Sequence, residues 1–197
     1  MTTVPSSLPI GVFDSGVGGL TVVKAIRERL PSESILYLGD TARLPYGTKS
    51  AESITRYATQ ATDALVARGV KLLVVACNTA SAVSIGALEA RFHPLPVVGV
   101  VEPGARAAVA TGGAHHLVLA TESTVSRHAY SRAIRALAPD AQVTEIACSL
   151  FVALAEEGWT DGGIPDAVAR RYLANVDAAR RPDTVVLGCT HFPLIAD

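Results

Sequence analysis

The chain has 197 residues, 49% of them hydrophobic and 18% charged, with a formal net charge of −1. That length allows one large domain or two small ones, with an ample core and no compositional sign of disorder. Arg and Lys are scattered, which excludes nucleic acid as a main partner, because phosphate binding needs a clustered basic surface.

The amino terminus, Met1 to Ser7, has no basic cluster ahead of an apolar core, so no signal peptide is read there. Apolar runs are strand-length and far short of the roughly 20 residues of a membrane span. The three cysteines, Cys77, Cys148 and Cys189, cannot all pair. Free thiols in a reducing cytoplasm are therefore expected. No C-x-x-C occurs and His191 lacks companions, so no metal site is expected.

In chain order, the run 8–13 is a strand that gives way to Asp14-Ser15-Gly16-Val17-Gly18-Gly19 and a helix over 20–30, ended by Pro31. The glycine spacing is neither a dinucleotide fingerprint nor a P-loop. A carboxylate site at a helix amino terminus fits the same physics. Strand 34–38 leads into a loop, 39–47, whose path Pro45 and Gly47 fix. Ser50 caps a helix running to about Arg68, and Gly69 stops it. Strand 72–76 ends at Cys77, and a helix follows to Phe92.

A fourth strand, 96–101, precedes Glu102-Pro103-Gly104 and an alanine-rich helix. Gly112-Gly113 marks a break, and the domain boundary falls somewhere in 98–114. Strand 116–120, a turn over 121–124 and a helix over 125–137 come next. Strand 142–147 leads to Cys148 and a helix to about Glu157. A loop with Gly162, Gly163 and Pro165 precedes a helix over 166–179, and strand 184–188 delivers Cys189. The pairs Arg170-Arg171 and Arg180-Arg181 read as solvated helix faces. Strands alternating with helices predict parallel sheets covered on both faces. The two halves echo each other.

In such folds ligands sit outside the carboxyl ends of the strands. A strand-end cysteine is often only a small buried hydrophobe. Here Cys77 is followed by Asn78-Thr79 and Cys189 by Thr190-His191, polar company that points to a site. A thiol near its ordinary pKa is partly ionised at neutrality. A thiolate on one face of a carbon and a thiol on the other can remove a proton and return one from the opposite side, inverting a stereocentre without a cofactor. Asp14 and His191 are placed to tune one thiol each, though Asp14 could be only a turn former and His191 only a loop hydrogen-bonder. Spacing alone gives Glu156 no role.

The stretches GVFDSGVGGLTV (11–22), GDTARLPYGTKS (39–50), VVACNTASA (74–82), GVVEPG (99–104) and GCTHFPLI (188–195) closely resemble glutamate racemases. These cofactor-independent enzymes supply D-glutamate for peptidoglycan. The resemblance implies two similar doubly wound α/β domains, 1–98 and 99–197, with the active site between them. It implies Cys77 and Cys189 as acid/base residues, assisted by Asp14, His191 and Glu156. It places Asp14, Ser15, Pro45, Tyr46, Gly47, Asn78, Thr79, Thr190 and His191 against glutamate. It implies a cytoplasmic enzyme, and family members often dimerise. By resemblance alone, Cys77 acts on D-glutamate and Cys189 on L-glutamate.

Three departures stand out. Ser149 and Ala153 replace usual prolines. Arg127 stands where a small hydroxyl residue is common in the T-V-x-S-x-A-Y stretch. Family chains continue for several dozen residues past GCTHFPL and complete the first domain, a segment expected to be missing here. Rivals are an aspartate or hydantoin racemase, a related decarboxylase, and a truncated, inactive protein that binds a partner. A cysteine hydrolase pairing Cys189 with His191 is disfavoured on the expectation that residues two apart at a strand end diverge.

Overall fold

The structure, a computed structural model, describes residues 7–176 and 181–196. The chain divides into two compact units, the first ending at Val100 and the second beginning at Val101. Each is built on one parallel sheet flanked by helices.

The first unit contains β1 (Ile10–Asp14), α1 (Leu20–Arg29), β2 (Ile35–Gly39), α2 (Ala51–Val66), β3 (Leu72–Val75), α3 (Asn78–Phe92) and β4 (Val97–Gly99). A single 3-10 turn, Tyr46–Thr48, interrupts the loop between β2 and α2. Strand order is β2-β1-β3-β4. All five residues of β1 are buried, as befits a central strand covered on both faces. The strand period of two divides its side chains. Ile10 and Val12 pack towards α1 with Val22, Val23 and Ile26. Phe13 points the other way, into the core that Leu73 and Val75 share with Ile54, Ala58 and Leu65 of α2 and Leu88 of α3. The Ser50 hydroxyl accepts from Ser53 N at 3.3 Å and caps α2. Gly69, at φ 76°, adopts the left-handed conformation that ends that helical run.

The second unit contains α4 (Val101–Ala110), β5 (His115–Ala120), α5 (Glu122–Val125), α6 (Ala129–Leu137), β6 (Gln142–Ala147), α7 (Leu150–Glu156), α8 (Gly163–Leu173) and β7 (Thr184–Gly188), closed by a 3-10 turn at Phe192–Leu194. Strand order is β6-β5-β7. Leu117 and Leu119 of β5 face Phe151, Val152 and Leu154 of α7 and the apolar side of α8. The opposite face meets α4 and α6, which bury Ala105, Ala108, Tyr130 and Ile134.

Several expectations need correction. The helix expected over 125–137 begins only at Ala129, because His128 before it takes a left-handed conformation (φ 50°). The turn expected over 121–124 is largely α5. The fourth strand is shorter than expected, and Glu102-Pro103-Gly104 lies inside the first turns of α4. Pro103 is tolerated there because the first helical N–H groups have no intrahelical acceptor. Similarly, Pro165 lies within the first turn of α8, which starts at Gly163 and not at Asp166. That helix also ends earlier than expected, at Leu173, with residues 174–176 outside it, and Arg181 is exposed in no helix, while 179 and Arg180 fall outside the described residues.

Candidate active site

Each sheet changes winding direction at one pair of strands. In the first, β1 continues outward to β2 on one side and to β3 and β4 on the other. In the second, β5 lies between β6 and β7. Ligand crevices open beyond the carboxyl ends of strands at such points. The first pair delivers Asp14, the last residue of β1, and Cys77, two residues past β3. The second delivers Thr121, just past β5, and Cys189, just past β7. Cys148 follows β6, an edge strand, and stands off that position.

In the first unit Cys77 is the N-cap of α3, its sulfur accepting from Ala80 N at 3.5 Å and donating to Ser15 Oγ at 3.4 Å. A helix amino terminus favours thiolate. Here burial, followed by the nearby Asp14 carboxylate, outweighs it and pushes the thiol up to about 11. Asp14 is fully buried and accepts from Gly16 N at 2.9 Å. The turn that carries Ser15 is held from outside as well. Tyr37 donates its hydroxyl to Gly16 O at 2.7 Å, and a Cβ on Gly39 would lie 2.2 Å from that same carbonyl oxygen. A Cβ on Gly19 would lie 2.4 Å from Asp14 Cβ, so only glycine leaves the carboxylate its place. Asn78 and Thr79 open α3 as buried residues beside Cys77.

Tyr46 and Gly47 are buried on the loop between β2 and α2, while Pro45 is exposed. The Tyr46 ring packs 6.2 Å from Phe13, and its hydroxyl donates to Asp40 Oδ2 at 2.5 Å. Burial, together with that carboxylate, holds the phenol protonated far above its usual range. Asp40 also accepts from Arg43 Nε, at 2.9 Å. It has no role in the sequence reading, although it directly follows β2 where Asp14 closes β1, and that position was the available signal.

In the second unit Cys189, Thr190 and His191 are all buried. The chain leaves β7 as a turn, with Phe192 N bonded back to Cys189 O at 3.2 Å. This turn brings His191 Nδ1 to 3.7 Å from Cys189 Sγ. The expectation that these two side chains diverge is therefore wrong, since it assumed extended backbone where the chain folds back. His191 Nε2 lies 2.5 Å from Glu156 Oε1 of α7. With Glu156 ionised, Nε2–H donates and Nδ1 is left to face the sulfur. That geometry gives Glu156 the partner that its sequence spacing could not. Thr121 and Thr124, whose hydroxyls are 3.1 Å apart, are buried at the end of β5. They are further polar residues beyond the sequence reading. Arg127 is half-buried, and its carbonyl accepts from Arg132.

The arrangement offers two thiols, each at its own sheet's crevice and each with a different neighbour, a carboxylate at Cys77 and a carboxylate-oriented imidazole at Cys189. None of the three cysteines is in a disulfide. Among the described residues, no group of three or more His, Cys, Asp or Glu is placed to hold a metal ion, and no helix is long and apolar enough to cross a membrane.

Known proteins carry the same chain plan. A glutamate racemase of Geobacter metallireducens is 54% identical over 187 residues, which is 94% of this chain and 68% of that protein. A crystal structure of the Francisella tularensis glutamate racemase with D-glutamate superposes with a TM-score of 0.90 at 39% identity, over 96% of this chain and 71% of that one. The Escherichia coli glutamate racemase, solved with L-glutamate and the activator UDP-MurNAc-Ala, gives 0.78 at 38% identity, over 96% and 72%. Residues 10–197 match the family described as Asp/Glu/hydantoin racemase, and with thiols at both switch points this chain belongs to that family.

Proposed function

We propose that the protein interconverts L- and D-glutamate without a cofactor, with Cys77 and Cys189 as the paired acid and base. The observation that carries this reading is the position of the two thiols, each at the carboxyl end of a strand beside the switch point of its own sheet. Glutamate, rather than aspartate or a hydantoin, is favoured by the 54% identity to a glutamate racemase and by the relatives solved with either enantiomer.

Inversion requires a different group on each face of the substrate Cα, since one base returning its own proton restores the original hand. With Cys77 held up to about 11, the resting enzyme carries a thiol there and returns a proton from that side, while Cys189 abstracts from the other. His191 accepts the Cys189 proton through Nδ1, and Glu156 stabilises the resulting imidazolium. After one turnover the protonation of the two thiols is exchanged, which readies the enzyme for the opposite enantiomer. Ser15, Asn78, Thr79 and Thr190 supply hydroxyl and amide groups for the substrate's carboxylates and ammonium. In the cell the reading is of a cytoplasmic enzyme that feeds D-glutamate to peptidoglycan synthesis.

The test is circular dichroism of L-glutamate in deuterated buffer with no added cofactor. Loss of optical signal with deuterium entering Cα is expected. Cys77→Ser and Cys189→Ser should each lower turnover by orders of magnitude while glutamate binding survives. Unchanged turnover in either variant removes that thiol from the mechanism.

A further inference from the structure

Three sequence stretches meet around one aromatic ring. Tyr130, on α6, is 2% exposed, and its ring reaches between α4 and β7. A Cβ on Gly104 of α4 would lie 3.0 Å from Tyr130 Cε1 and 3.1 Å from its hydroxyl oxygen. A Cβ on Gly188, the last residue of β7, would lie 3.0 Å from Tyr130 Cε2 on the opposite edge of the ring. Real Cβ atoms tolerate such distances only if their neighbours give way. The ring therefore fills the space that two absent side chains leave. Gly188 on the far side is bounded by Leu119 O and Ala120 Cβ, 3.0 and 3.1 Å from the same built position, so it is clamped between β5 and the ring. The next residue in the chain is Cys189.

We propose that Tyr130 is a positioning residue for Cys189, its ring acting as a wedge between Gly104 and Gly188 that fixes where β7 ends and hence where the thiol points. The electrostatics reflect the same proximity. After burial, the Cys189 charge is what holds the Tyr130 phenol protonated above its usual range. The same wedge explains why glycine stands at Gly104 inside a helix, where alanine would otherwise be preferred. A tyrosine that only filled the core of the second unit would affect Cys148, a buried thiol of the same unit, as much as Cys189. A positioning tyrosine acts on one of them.

The proposal rests on the two-thiol reading only for its turnover readout. The experiment is iodoacetamide alkylation of the native full chain, with the rates at the Cys189 and Cys148 peptides, both of the second unit, followed separately by mass spectrometry. In Tyr130→Ala the ratio of the two rates should change by about tenfold, with kcat down about a hundredfold and KM little altered, as ångström-scale misplacement of a reacting group implies. Tyr130→Phe keeps the ring between the glycines and should restore the wild-type ratio. Gly104→Ala, a substitution that favours the helix, presses on the ring from the other side and should shift the ratio in a folded protein. An unchanged ratio in Tyr130→Ala or Gly104→Ala, or equal changes at both thiols, overturns the proposal. A shifted ratio in a protein that does not racemise glutamate would sink the functional reading and leave the positioning role standing.

Discussion

Replacing Asp14 by Asn changes the charge beside Cys77 and almost nothing else. Asn keeps the shape and an oxygen for Gly16 N, so the turn survives. Two effects raise the Cys77 thiol from 9.0 to about 11, burial first and the Asp14 carboxylate second, against the hydrogen bonds from Ser15 and Ala80 N. At pH 8 a thiol at 11 is about one part in a thousand thiolate. Removing Asp14's charge lowers that pKa, but burial remains, so it stays above 9.0. The thiolate fraction at pH 8 therefore rises by more than one and less than about a hundredfold, and roughly tenfold is expected. The assay is the pH dependence of iodoacetamide alkylation at the Cys77 peptide. Cys148, which burial alone pushes up to about 12, provides an internal reference that should not respond. If Cys77 in Asp14→Asn titrates at the wild-type pH or higher, the carboxylate does not govern the thiol.

Glu156→Gln removes the charged acceptor on His191 Nε2, and kcat for racemisation should fall about tenfold or more with little change in KM. An unaltered kcat would make that contact structural only. Gly39→Ala places a methyl 2.2 Å from Gly16 O, which is backbone and cannot swing aside. The cost should be about 1–3 kcal/mol, read as a lowered Tm, and turnover should fall with it. Raising the pH should cost the folded protein stability. The Cys77 pKa is higher folded than unfolded, so its contribution is complete below about 9 and lost as pH rises towards about 11. Urea unfolding should show the wild type losing roughly 3 kcal/mol more than Cys77→Ala across that window.

Much of this was legible in the sequence because its signals are local. Alternation of apolar runs with helical patterns located the seven strands of the described residues, and Ser50 and Gly69 marked the ends of α2. The thiols were legible because a cysteine after a buried run with polar residues behind it is a local pattern. What escaped depends on conformation away from regular elements. His128 delays a helix by a left-handed backbone that its residue type only weakly announces. The Cys189–His191 contact requires a turn where extension was assumed. Glu156 meets His191 across 35 residues, a pairing only the packing of α7 creates. Which of the three strand-end cysteines stand at switch points is likewise a matter of strand order, which no run of residues states.

The Asp14–Gly19 turn has its shape imposed before any substrate arrives. Tyr37 anchors one of its carbonyls, Gly39 presses on the same atom, and the Asp14 carboxylate holds the Gly16 amide from within. Ordering a loop at the moment of binding costs conformational entropy, and here that ordering accompanies folding instead. Ligands that meet this turn should bind with little entropic penalty from it. Variants that loosen it, such as Tyr37→Phe, should show their defect as a more unfavourable entropy of binding in calorimetry, even where every polar group for the ligand remains.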